Sequence, residues 1–498
     1  MRVVNRLARP WAAPRGVILM TALCALVMLP AMADDGVPKP LSLSDAVVEG
    51  LARDPGIRSG NYDAISAHAK ALDAVFRMLP SVGLSSGYTG LSPETSSGFS
   101  SLLGDMLGED AILAGTNPVA LSQLQKIEND LAAFAATPSD SLGGYSWTAS
   151  KDFRLDLQYP VFAGMRLKEA ADIAKQGALG KDAALELTRR AMAFEIERAY
   201  WEAFRASSNV QTLEKALELE GVLRDEMKSM GAQGMVTDAD LLGEQARYDQ
   251  ATLALDEAKS GQQLAFLGLA SLVGDANATK APEAAGYELL TKPGSQVWSD
   301  PGSDAIALIA QALASRPETR LAGIGLEIGK HAKAAANGDL MPTVLLTGNV
   351  VYSDPDPRAF PALDSWAWTW TAGIRVRYDL GTLPGALARE KAASADLEKA
   401  RADLERSRNA IALDVRKSLL ALSRSRNSLE LTKGMVAQAE ENLRVTQARF
   451  DNGIAKRSDL LQAQIALLRA NFAVENKGID LEIAEADLDR ALARQPLP

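Results

Sequence analysis

The sequence predicts an α+β membrane protein whose chain gives four strands to a transmembrane β-barrel and carries long coiled-coil helices besides. Three observations lead there. Residues 366–378, WAWTWTAGIRVRY, alternate with period two. Two stretches free of proline run for more than 60 residues in Ala-, Leu-, Glu- and Arg-rich helical composition, from about 166 and from about 386. The order of elements then occurs twice along the chain.

Within residues 366–378, Trp366, Trp368, Trp370, Ala372, Ile374, Val376 and Tyr378 share one face, and Ala367, Thr369, Thr371, Gly373, Arg375 and Arg377 share the other. A sandwich strand would bury the aromatic face in a core. A barrel strand would turn it to lipid, with the polar residues in the lumen. The pattern alone fits both, so the rest of the chain decides.

The 498 residues carry a net charge of −10, near −14 once the four leader arginines are set aside. An acidic chain with no basic run is a poor nucleic-acid binder. The start reads as a secretory signal over 1–33. Arg2, Arg6, Arg9 and Arg15 form the charged region, Val17–Leu29 the apolar run, and Ala31-Met32-Ala33 the cleavage site. Cys24 is the only cysteine, it lies in this leader, and Leu23 before it argues against lipidation. No later segment holds 18 uninterrupted apolar residues, so a further membrane span has to be β.

The first structural repeat covers 34–302. A short helix at 41–54 is expected to close at Pro55, and a second to run from about Gly60 to Met78. Strands are expected near 81–89 and 147–161, separated by a Ser- and Gly-rich insertion, 90–146, with two short helices near Phe99–Met106 and Val119–Ala136. In the second strand Trp147, Phe153, Leu155, Leu157 and Tyr159 face one way, and Arg154 and Asp156 the other. A helix pair follows over 164–273. Its first member, from Arg166 to about Met230, would be about 100 Å long at 1.5 Å per residue. Residues 274–302 are a Pro/Gly-rich connection.

The second repeat covers 303–498, with strands near 343–352 and 366–379, a turn at LGTLPG and a helix pair over 385–495. Leu422, Leu429, Val436, Leu443 and Phe450 recur every seven residues, which marks a coiled-coil seam. Subtraction exposes the duplication. Pro55 and Pro317 are 262 apart, as are Pro80 and Pro342. Tyr159 and Tyr378 are 219 apart, as are Gly234 and Gly453, and Asp240 and Asp459. The insertion accounts for the change of offset. Four strands cannot close a barrel, and an open edge cannot sit in lipid. Three copies would supply twelve strands, an even number within the bacterial range.

The layout resembles the TolC family of outer-membrane efflux proteins over nearly the whole chain after the leader. The paired helix breaks GMVTDADLLGEQA (234–246) and GIAKRSDLLQAQ (453–464) carry the closest match, to that family's Gly-x-x-x-x-x-Asp-Leu-Leu-x-x-Gln tip motif. The resemblance implies a homotrimeric, twelve-stranded barrel in the outer membrane of a Gram-negative bacterium, with a periplasmic helical tunnel. It implies a membrane-fusion adaptor and an inner-membrane transporter as partners. The chain would be the passive exit duct of a tripartite efflux pump or a type I secretion system, and not an enzyme. Residues Gly234, Thr237, Leu241, Gly453, Ser458 and Leu460 would then meet the adaptor. Asp459 and Asp240 would form carboxylate rings at a periplasmic gate, with Lys456 and Arg457 as partners. The alternative is a pair of helix-start aspartates favoured by the helix dipole. Arg154, Asp156, Arg375 and Arg377 would line the lumen. Trp147, Tyr159, Trp366, Trp368, Trp370 and Tyr378 would form the aromatic girdle against lipid. The rival reading is a non-conducting periplasmic coiled-coil scaffold.

No cofactor or metal is expected. His68-Ala69-Lys70 and His331-Ala332-Lys333 read as an echo of the duplication on a helix face. GIGLEIGK (323–330) lacks the spacing of a phosphate loop and no strand precedes it.

Overall fold

The structure is a computed structural model that describes residues 39–90, 126, 149–275, 287–294, 304–354, 356, 358 and 365–494. The leader, the helix expected near Phe99–Met106, all but Lys126 of the one expected near Val119–Ala136, and Trp147 lie outside those residues. The described elements are β1 (Lys39–Leu41), α1 (Leu43–Arg53), α2 (Pro55–Phe76), β2 (Ser81–Gly90), β3 (Ala149–Phe162), α3 (Arg166–Ala232), α4 (Asp238–Val273), β4 (Tyr287–Leu289), α5 (Ala305–Ser315), α6 (Pro317–Gly338), β5 (Thr343–Asp354), β6 (Ala367–Arg377), α7 (Leu383–Asp451) and α8 (Arg457–Ala491). The duplication is visible in their lengths. Helices α2 and α6 both have 22 residues, α3 and α7 have 67 and 69, and α4 and α8 have 36 and 35.

Two helix starts differ from the sequence expectation. Pro55 does not merely close α1. It opens α2, whose N-cap Asp54 accepts a 2.6 Å bond from the Ile57 amide, so the helix begins five residues before Gly60. LGTLPG is not a free turn: Leu380–Thr382 form a 3₁₀ turn and α7 starts at Leu383, with Pro384 in its first turn. Proline suits that place because the first helical amides have no intrahelical acceptor to lose.

The chain divides into two compact units. One comprises Arg53–Phe194, Trp298–Asn427 and Ile483–Pro498. It holds a four-stranded antiparallel sheet in the order β2-β3-β5-β6. At its base the backbones of Gly164 and Gly338 cross so closely that a Cβ on Gly338 would lie 2.0 Å from the Gly164 carbonyl oxygen. Asp339 accepts from Arg166 Nη1 at 3.0 Å and from Arg389 Nε at 2.9 Å, which ties α3 and α7 to the end of α6. A second ionic cluster joins Arg316, with a side chain 7% exposed, to Glu318 and Asp414, and Arg490 to Asp414 and Asp487.

The other unit comprises Met1–Ala52, Glu195–Val297 and Ser428–Glu482. Its helices bury seven-residue stripes: Leu255 on α4, and Ile465 and Ile479 on α8, are inside, while Leu429, Val436 and Leu443 on α7 are half-buried. Strands β1 and β4 pair in parallel. Tyr200, fully buried, holds the pair: its hydroxyl donates to the Leu41 carbonyl at 3.2 Å and accepts from the Thr291 amide at 2.9 Å.

Candidate functional site

Register decides which side chains of the sheet share a face, because paired residues point the same way. Phe153 pairs with Tyr352 and Tyr352 with Trp368. Leu155 pairs with Val350 and Val350 with Trp370. Leu157 pairs with Gly348 and Gly348 with Ala372, and Tyr159, Leu346 and Ile374 form the next row. Val82 and Leu84 extend these rows on β2. The result is one apolar face across all four strands, and it is bare: Leu84, Trp368, Trp370 and Ile374 are each at least 69% exposed.

Six residues separate Phe153 from Tyr159, which at about 3.4 Å per residue is about 20 Å. A barrel's apolar band is about 25 Å tall. At the upper end Tyr352 stacks on Trp366 and Trp368 at centroid distances of 4.7 and 4.5 Å. One row further out the face ends in a Lys151–Asp354 ion pair at 4.0 Å. Tyr159 and Tyr378 lie toward the lower end. Trp370 pairs with Val350, one row in from the stacked Trp366, Tyr352 and Trp368, and Phe153 stacks on Trp366 at 6.1 Å.

The opposite face is polar. Asp156 pairs with Gly83 and Asn349, and Asn349 pairs with Thr371 and accepts the Thr371 hydroxyl at 2.6 Å. Arg154 pairs with Ser85 and Val351 and lies 3.7 Å from Asp152. Arg375 pairs with Leu345, and Arg377 with Thr343. The structure thus brings all four expected lumen residues to one face.

The helix breaks have a common construction. Gly234 and Gly453 adopt left-handed φ of 68° and 72°. After each, the next amide reaches back five residues: Met235 to the Met230 carbonyl at 2.9 Å, and Ile454 to Arg449 at 2.8 Å. The glycine amides bond Gly231 and Phe450. This is a Schellman stop, which glycine favours because it lacks a Cβ. Six residues after each glycine the aspartate starts the next helix. Thr237 and Asp240 form a reciprocal capping box. Asp459 accepts only the Lys456 amide, at 3.1 Å, since lysine has no oxygen to return the bond. The Gly-to-Asp spacing is therefore a stop and start signal. Bonds from Thr237, with the nearby Lys456 ammonium, hold the Asp240 carboxyl below the usual carboxylate range.

Other tip residues fall unevenly. Arg457 lies 3.7 Å from Glu226 on α3, so its carboxylate partner there is neither tip aspartate. Leu460 is buried, and the half-buried Leu241 packs against Gly231. Met235, Leu242 and Ile454 are exposed instead, at 58, 72 and 68%. Gly234, Thr237 and Gly453 sit in exposed turns and Ser458 is half-buried. Among the described residues no helix is long and apolar enough to cross a membrane.

Residues 308–494, most of the second repeat, match the family described as outer membrane efflux protein. The match covers less than half of the chain, and it is a likeness of the second repeat to that family. That family's place is the outer membrane and its general function is efflux. By structure, 90% of the chain is covered by a membrane protein from Pseudomonas aeruginosa, with 92% of that chain covered, TM-score 0.70 and 18% identity. The Campylobacter jejuni CmeC outer membrane channel gives TM-score 0.70 and 16% identity over 90% of this chain and 85% of that one. The outer membrane protein VceC of Vibrio cholerae gives 0.67 and 18% over 90% and 95%. At these identities the likeness is one of fold. No curated protein sequence matches the chain.

Proposed function

We propose that three copies of this chain close a twelve-stranded barrel and form the passive exit duct of a tripartite efflux pump or a type I secretion system. The observation that carries this is a sheet with one continuous apolar face and two edge strands. Among the described residues, no further strand pairs with the outer edges of β2 and β6. In hydrocarbon each unpaired group costs several kcal/mol. The edges have 10 and 11 residues, similar enough for β6 of one copy to pair with β2 of the next. An inner-membrane transporter supplies the energy, and a membrane-fusion adaptor meets the helix tips through the exposed Met235, Leu242 and Ile454. Asp459 lines a periplasmic gate. Its carboxylate is less committed to its own helix than that of Asp240, which is the weaker candidate.

Purified protein in planar bilayers should give discrete conductance steps, and native mass spectrometry should give a trimer. A protein that inserts no conductance and stays monomeric in detergent is the coiled-coil scaffold, and the duct reading fails.

A further inference from the structure

Beneath the sheet, the first turns of α3 bring two carboxylates against α6. Glu169 and Asp172 stand three residues apart, on one side of the helix. Glu169 is buried, and its Oε2 lies 2.7 Å from His331 Nδ1. One ligand atom from each of Glu169, Asp172 and His331 lies within 4.8 Å of the others. We propose that these three residues form a binding site for a divalent cation of the zinc class, which the sequence pattern did not suggest and which does not depend on the channel reading.

Three observations support it. The donor set is mixed, one imidazole nitrogen with two carboxylates. Carboxylates alone would suit magnesium or calcium, whereas imidazole selects zinc and its neighbours. In a tetrahedral site with metal–ligand bonds near 2.1 Å the donors stand about 3.4 Å apart. Rotation of the partly exposed Asp172 side chain can close the remaining gap and leave a position for water.

The fold does not require the carboxylates. The repeat offset of 219 carries Glu169 to Ala388 and Asp172 to Lys391. The other histidine, His68, meets a single carboxylate, Asp182, at 3.0 Å in a well-exposed pair. The acids at 169 and 172 therefore belong to this place and not to the repeat.

The competing cation is weak. Lys168 Nζ lies 3.8 Å from both carboxylates, but its side chain is 58% exposed. A metal would displace it at little cost, since a lysine this open to water holds its carboxylates only weakly. A bound cation would tie the long helix of the first repeat to the short helix of the second, next to the Gly164–Gly338 crossing.

Untagged protein, stripped with a chelator, is titrated with Zn²⁺ by calorimetry. Saturable binding of a single ion per chain is expected. His331→Gln and Asp172→Asn should each weaken it by at least about tenfold, the lower end of the loss typical when even an outer partner of a metal ligand is removed, while His68→Gln leaves it unchanged. Far-UV circular dichroism checks that each variant is folded, and Asp172 is exposed enough for its variant to fold if His331→Gln does not. The absence of a saturable site in the wild type, or an affinity unaltered in a folded Asp172→Asn variant, overturns the proposal.

Discussion

The sheet's register gives a sharp test of which face meets lipid. The apolar span from Phe153 to Tyr159 has its midpoint at residue 156, so Leu155 and Leu157 each sit about 3.4 Å from the bilayer midplane. An arginine facing lipid there costs about 2–4 kcal/mol, and near an interface about 0–1. Leu155→Arg should therefore shift the folding equilibrium by about 30-fold to about 1,000-fold, at 1.4 kcal/mol for each factor of ten. Asn349→Arg places the same charge at nearly the same depth on the polar face, opposite Asp156. It gives up the bond from Thr371 and should cost no more than about 1 kcal/mol. Tyr88→Arg, at the outer end of the lipid face, should fall between about 0 and 1 kcal/mol. Urea unfolding in lipid vesicles measures all three. Equal costs at 155 and 349, or a larger cost at 349, would refute the assignment of faces.

Three further outcomes are expected. Gly338→Ala must push two backbones apart by more than 1 Å to relieve the 2.0 Å contact, at about 1–3 kcal/mol. Gly268→Ala, with nothing within 4 Å of its Cβ, should add about 0.5–1 kcal/mol of helix stability, and thermal melts that rank the two the other way contradict the crossing. Burial pushes the Asp339 and Asp414 carboxyls up, but bonds from Arg389 and Arg166, and from Arg316 and Arg490, more than offset it and hold both below the usual range. Their contribution is thus complete above the unfolded value of about 3.9 and lost as pH falls through the lower folded values. Urea midpoints should drop below about pH 4, and Asp414→Asn should flatten that drop; a midpoint rising toward acid would be inconsistent. Multivalent cations added on the periplasmic side should block wild-type conductance and Asp240→Ala but not Asp459→Ala, and persistent block in the last removes Asp459 from the gate.

Much of the sheet was legible because a period of two is hard to mimic. WAWTWTAGIRVRY assigns both faces of β6 without coordinates. The seven-residue stripes were readable for the same reason, and the paired Gly-to-Asp spacings located both tips. What escaped reading joins residues far apart with no periodic trace. Strands β1 and β4 have three residues each and pair across nearly 250 positions. Glu169 meets His331 162 residues away. Leu241 and Leu460 read as surface leucines because they follow a turn, yet the helices that start there turn them inward. Trp370 resembled its tryptophan neighbours, and only register places it one row deeper.

The bare apolar face also dictates an order of events during biogenesis. Helices gain their hydrogen bonds from neighbours in sequence and form quickly. The sheet of a lone chain, by contrast, would present Leu84, Trp368 and Trp370 to water along with two edge strands that no other described strand covers. Such a surface invites pairing with the wrong neighbour. On the trimeric reading proposed above, a newly exported chain therefore has a short safe lifetime in water, and its strands need an escort until lipid and sister copies cover them. Slow delivery, more than slow folding, is what would make this protein aggregate.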